Sequence, residues 1–282
     1  MNWRTALRLG RVSNLPTVWT NALAGIVLSA GTFSGNMLTP LLIGLSLLYV
    51  AGMYLNDAFD AEVDARERES RPIPQGLVTR GTVFAAGFGL MIVGFVCLAT
   101  LGGKAALISL LLVGAIVVYD WLHKRTKLAP LLMALCRALI YGVAAAAAYG
   151  AFGQPLLFGA IGLFCYIAGL TYAAKQEAFD RIERLWPLAI MAVPFAIGTA
   201  AALDRPQALP FFAAFIVWTG AALWLLWRRR QGDVGRSISR LIAGISLYDA
   251  VLVGAYHSPE LGLLCALAVP VTIAAQRFVP GT

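Results

Sequence analysis

Ten apolar runs recur from end to end of this 282-residue chain, each near the length of a bilayer-spanning helix (about 20 residues), and they leave room for little else. They are read at roughly 15–33, 38–56, 82–102, 104–121, 129–150, 155–174, 186–203, 207–227, 238–256 and 260–278. A segment inside a bilayer must satisfy its own backbone hydrogen bonds, so such runs fold as helices. The chain is 60% hydrophobic and 13% charged, about half the charge of a soluble domain. The expected fold is therefore all-α: a polytopic transmembrane helical bundle of about nine to ten spans. It forms a single domain over 1–282, with 260–278 as a candidate additional span.

The loops orient this bundle. With the N-terminus inside, 19 of the 22 basic residues fall on the inner side. Lys104 and Arg205 fall outside, and Arg137 lies within a span. The positive-inside rule then puts the N-terminus and the charged loops in the cytoplasm, as in a bacterial inner membrane or its equivalent. Eleven of the 14 acids share that side, so chemistry belongs there. The net charge of +8 belongs to this collar and gives no reason to expect nucleic acid as a partner. Cys97, Cys136, Cys165 and Cys265 fall in apolar runs without a CxxC pattern and read as packing residues.

Residues 56–74 break the apolar pattern with six acids and three arginines. Asn56, Asp60 and Asp64 are spaced i, i+4 and i+8, so a helix would put them on one face, with Asp57 beside them. Like charges so placed repel unless a cation sits among them. A hard divalent ion such as Mg2+, carrying a phosphorylated substrate, suits these oxygens. Arg71-Pro72-Ile73-Pro74 is expected to end the helix, and Gly76 to allow a tight return. Arg66 and Arg71 can reach back toward phosphate oxygens, for which the planar guanidinium fork is suited. The bland alternative is a solvated, salt-bridged loop.

The pattern Asn56-Asp57-x-x-Asp60-x-x-x-Asp64 followed by Arg71-Pro72-Ile73-Pro74-x-Gly76 resembles the first motif of the UbiA superfamily of intramembrane prenyltransferases. The resemblance implies a UbiA-like bundle around a central cavity. It also implies Mg2+ held by Asn56, Asp57, Asp60 and Asp64, and a prenyl diphosphate as substrate. Tyr119-Asp120-Trp121-Leu122-His123-Lys124-Arg125 is similar to a second family stretch, in which Lys124 and Arg125 would face the diphosphate. The place of the family's later aspartate motif is held by Lys175, Gln176, Glu177, Asp180 and Glu183. Glu177 and Asp180 are candidates for a second metal and for proton transfer, and Lys175 for diphosphate contact. This departure is that of a divergent branch, of which the EboC-type proteins are one it resembles.

Asn21, Arg137 and Asp249 lie inside spans, where polar groups are costly and usually face a cavity or a partner. Asn21, Tyr119 and Arg137 are candidate acceptor-cavity residues, and Asp249 a structural partner for an arginine. The function implied is Mg2+-dependent prenyl transfer from a prenyl diphosphate to an aromatic or other small hydrophobic acceptor within the lipid bilayer. Asp60 and Asp64 carry the chemistry, with Glu177 and Asp180. The competing reading is a non-catalytic protein that binds or transports an isoprenoid or lipid precursor. CDP-alcohol phosphotransfer needs Asp-Gly where Asp57-Ala58 stands, and it is set aside.

Overall fold

Each apolar run becomes a helix. The computed structural model describes residues 1–175, 186–228 and 230–281. A short α1 (Trp3–Leu9) leads into α2 (Leu15–Leu28), α3 (Gly35–Glu67), α4 (Arg80–Ala99), α5 (Gly103–Leu122) and α6 (Ala129–Ala147). Then come α7 (Gln154–Lys175), α8 (Ala192–Asp204), α9 (Leu209–Arg228), α10 (Asp233–Tyr256) and α11 (Pro259–Gln276). Among the described residues there is no strand. Among the described residues eight helices, α3–α7 and α9–α11, are long and apolar enough to cross a membrane. The ten-span expectation thus resolves into eight long helices and two shorter ones. Helix α2 stops after 14 residues because the chain turns at Ala30, which has φ 50°. Helix α8 has 13 residues and follows a 3-10 segment, Trp186–Met191.

The helix of the second apolar run continues through the charged stretch: α3 runs for 33 residues and carries Asp57, Asp60, Glu62, Asp64 and Glu67 on its last turns, with Glu69 just beyond its end. The helix ends at Glu67, well before Pro72, so the prolines shape the return rather than stop the helix. Gly76 makes that return with φ 70°, a conformation other residues resist.

Packing sorts the helices into a centre and a rim. Helix α10 is enclosed by α2, α7, α8, α9 and α11, and 83% of its spanning window is buried. The corresponding share is 28% for α4 and α5 and 22% for α11, which present apolar faces outward. Lipid is as apolar as leucine, so such helices associate through close contact of small residues. At the α3–α4 crossing, a Cβ added at Gly44 would lie 3.0 Å from the Gly94 carbonyl oxygen, and one at Gly94 the same distance from that of Gly44. Two large apolar clusters result, beside a small one around Leu9, Tyr54, Ala58 and Val83. One joins α3–α5, the other α7–α11, and both include α2 and α6. Between the two halves lies a cavity.

Candidate active site

The cavity holds about 560 Å³ and is walled by α3, α5, α6, α7 and α10. Its deep part is apolar, lined by Leu45, Leu48, Leu112, Ile116, Ile140 and Ile245. Its other end collects charge from three separated stretches: Arg11 before α2, the last turns of α3 with the return to Arg71, and the end of α5. The chain's long apolar helices bring these together because their charged ends lie on one side.

The helix periodicity of α3 decides which motif residues face inward. Asn56 and Asp60 line the cavity, with Glu67, Arg68 and Arg71 beyond them. Asn56 Nδ2 donates to Asp120 Oδ1 at 3.2 Å, binding α3 to α5. Asp60 Oδ2 lies 2.9 Å from His123 Nε2 and 3.7 Å from Lys124 Nζ. The His123 ring stacks on Tyr119, which also lines the cavity. Asp57 and Asp64 are buried beside this wall rather than on it. Asp57 Oδ1 takes Arg11 Nη2 at 2.8 Å and Arg71 Nη1 at 3.4 Å. Thus the first motif is shared among arginine, histidine and lysine partners, not left as a bare acidic face.

Asp57 and Asp64 both act on the Arg11–Arg71 pair. Burial, and then the neighbouring Arg11, push the Arg71 pKa down from its ordinary value. Polar atoms also go unused. Asp57 Oδ2, Asp120 Oδ2 and Arg11 Nε are buried without a hydrogen-bond partner among the described residues. Buried orphans of this kind are costly, and they concentrate where a ligand or ion completes them. Among the described residues no three His, Cys, Asp or Glu side chains converge closely enough to hold a metal alone. Mg2+ needs no such cage: it commonly binds one or two carboxylates, substrate phosphates and waters. The unpaired oxygens of Asp57 and Asp120, beside Asn56 and Asp60, fit that requirement.

Several expected residues stand elsewhere. Arg66 is exposed and lies outside the cavity wall, because it is roughly 200° around the helix from Asp64. Arg125 is also exposed and rests over the Trp121 ring at 5.8 Å. Lys124 lines the cavity. Asn21 does not: it is fully buried behind Arg137. The expectation that Asp249 pairs with an arginine is met only indirectly, since its carboxylate accepts from Thr20, Asn21 and Tyr141. Lys175 ends α7, whose Ile167, Leu170, Thr171 and Ala174 line the cavity. The Lys175 side chain, and Glu177, Asp180 and Glu183, lie outside the described residues.

Sequence reasoning missed Arg11, Asp120 and His123. Arg11 is held at φ 42°, a rare conformation for a non-glycine residue and the sort of strain found at functional sites. Asp120 offered a visible signal: an acid within an otherwise apolar span.

The UbiA prenyltransferase family model matches residues 17–190, more than half of the chain and inclusive of α3 and α5. The chain belongs to the UbiA prenyltransferase family. It is 26% identical over 181 residues to a digeranylgeranylglyceryl phosphate synthase of Metallosphaera sedula, covering 64% of this chain and 54% of that one. It is 28% identical over 167 residues to a 4-hydroxybenzoate octaprenyltransferase of Haemophilus ducreyi, covering 58% and 56%. The chain therefore matches just over half the length of each. Its fold is that of a UbiA homologue from Archaeoglobus fulgidus solved with GPP and Mg2+, at TM-score 0.55 and 13% identity, covering 96% of this chain and 98% of that one.

Proposed function

We propose that this UbiA family member transfers a prenyl group from a prenyl diphosphate to a small acceptor within the membrane, with Mg2+. One observation carries the reading: paired and unpaired charges of both signs crowd the mouth of an apolar cavity. A diphosphate bearing an isoprenoid tail has that same polarity. The relatives' names and the GPP and Mg2+ of the structural neighbour point the same way. The basic collar supports a cytoplasmic placement of the charged end.

Arg11, Arg68, Arg71 and Lys124 would receive the diphosphate. Asn56, Asp57, Asp60, Asp64 and Asp120 would hold Mg2+. When bound, the ion would neutralise charge developing on the leaving group. The C1–O bond breaks, and the electron pair leaves with the diphosphate. The apolar walls keep water from the allylic cation, and the faces of Tyr49 and Tyr119 can steady it. The acceptor bonds to C1 and gives up a proton, for which Glu177 and Asp180 are the proposed carboxylates.

The test is incubation of lipid-embedded protein with radiolabelled geranylgeranyl diphosphate and a cell extract as acceptor pool. The expected outcome is a new lipophilic product in Mg2+, absent with a chelator. Mg2+-dependent binding with the donor recovered intact would instead establish the carrier reading.

A further inference from the structure

The first turns of α10 and the end of α11 enclose a second hollow, of about 330 Å³, apart from the central cavity. Arg236, Ser239 and Arg240 line it from α10, and Ile273, Gln276 and Arg277 from the other side. Arg236 and Arg240 are four residues apart, so they share a helix face at a rise of about 6 Å. Ile238 and Ile242, which line the central cavity, each follow one of these arginines by two residues, or roughly 200° around α10. The two arginines therefore face away from the diphosphate site.

Nothing neutralises this hollow. Among the described residues the arginine ion pairs run through Arg11, Arg71, Arg80, Arg205 and Arg228, and Arg236, Arg240 and Arg277 take part in none. The acid nearest Arg236 in sequence, Asp233, is already held by Arg228 at 2.7 and 2.8 Å and by the Arg230 amide at 3.1 Å. Among the described residues no acid lines the hollow. Three exposed guanidiniums thus surround one space, with the Ser239 hydroxyl beside them. Their planar forks suit an anion with several oxygens, such as a phosphate group.

Depth and the neighbouring surface decide which phosphate. Trp224 and Trp227, near the end of α9, are exposed as aromatic residues are at the headgroup level. Arg228 lies over the Trp224 ring at 4.6 Å and ties the start of α10 to that level through Asp233. On α11 the exposed residues Leu263, Leu267, Pro270 and Ala274 follow one another by four, three and four positions, and Arg277 comes three later. That spacing keeps them on one face. An outward apolar stripe therefore runs along α11 into a cationic hollow. A phospholipid has the same layout, with acyl chains below a phosphodiester, whereas a free phosphate has no use for the stripe.

We propose that the α10–α11 hollow binds the headgroup of an anionic phospholipid, with an acyl chain along the Leu263–Ala274 stripe. Basic hollows between membrane helices take anionic headgroups in this way. The proposal stands apart from the prenyl-transfer reading, since the two sites share no lining residue.

The experiment is equilibrium binding of tritiated phosphatidylglycerol and tritiated phosphatidylcholine to the full chain in detergent micelles stripped of native lipid. Phosphatidylglycerol is expected to bind saturably and at least about tenfold tighter than phosphatidylcholine. Arg236→Gln combined with Arg240→Gln should weaken it about thirtyfold, and Arg277→Gln alone about fivefold. Arg66→Gln combined with Arg125→Gln removes the same charge from the same side of the bundle and should weaken it less than twofold. Inorganic phosphate at the lipid's concentration should not displace it. Binding of labelled geranylgeranyl diphosphate with Mg2+ should stay within about twofold in every variant. Equal binding of the two lipids would mean a general lipid surface, and equal losses in the two double variants the basic collar acting as a whole. Displacement by phosphate would mean a small-anion site, and a parallel fall in diphosphate binding a part of the diphosphate path. Each of these four results would overturn the proposal.

Discussion

The charged mouth of the cavity and the polar network at mid-bundle use the same residue types to opposite ends. At the mouth, Asp57 shares two arginines through one oxygen while its other oxygen has no partner among the described residues, and Asp120 likewise has one oxygen bonded and one without such a partner. At mid-bundle both oxygens of Asp249 are bonded, by Tyr141 on one side and by Thr20 and Asn21 on the other. Buried polar networks that are fully satisfied stiffen a fold, and half-satisfied ones cost energy. The mouth therefore carries stored cost that a ligand can release, and the mid-bundle network carries structure. Arg137 joins the two: its Nη1 is tied into the network, and the residue lines the cavity.

The largest effect should come from the mouth. Asp60→Asn is expected to lower turnover at least about 100-fold in the labelled-diphosphate assay, with the thermal midpoint in detergent unchanged or raised. Full activity in that variant would break the assignment of the mouth as the reactive end. Mid-bundle changes should do the reverse. Asp249→Ala should cost about 3 kcal/mol of stability, because it strips three buried donors and leaves Arg137 without a counter-ion. A denaturation series in mixed micelles measures this, and an unchanged midpoint would remove the contrast between the two regions.

Smaller effects sharpen the contrast within the mouth. Asp120→Asn is expected to raise the Mg2+ concentration needed for diphosphate binding about tenfold while leaving the fold intact. A Mg2+ titration at fixed labelled diphosphate decides this. Arg11→Gln should weaken diphosphate binding about tenfold, whereas Arg66→Gln and Arg125→Gln should change it less than twofold. Equal losses in all three would mean that the wall is drawn from the wrong arginines.

The helices were legible because each apolar run must satisfy its own backbone in lipid, and nothing nearby competes with that rule. The residues of the first motif were legible because i, i+4 and i+8 spacing means one face wherever a helix exists. Boundaries failed where a turn interrupts a run, as at Ala30, and where charge disguises a helix, as over Asp57–Glu67. The site failed in its partners. Arg66 and Arg125 were chosen for nearness in sequence, yet the turn of α3 carries Arg66 outward, and Arg125, beyond the end of α5, rests over the Trp121 ring. Arg11 reaches Asp57 from 46 positions away, and His123 reaches Asp60 from 63.

The sequence by itself determined the membrane bundle, its charged end and the residue types of the first motif, since hydropathy and helical period are local properties. Tertiary structure alone decided which charges pair and which oxygens stay unpaired. Those outcomes depend on how α2, α3, α5, α6 and α10 rotate against one another. Small-residue contacts set that rotation between distant helices, and no spacing along one helix encodes it.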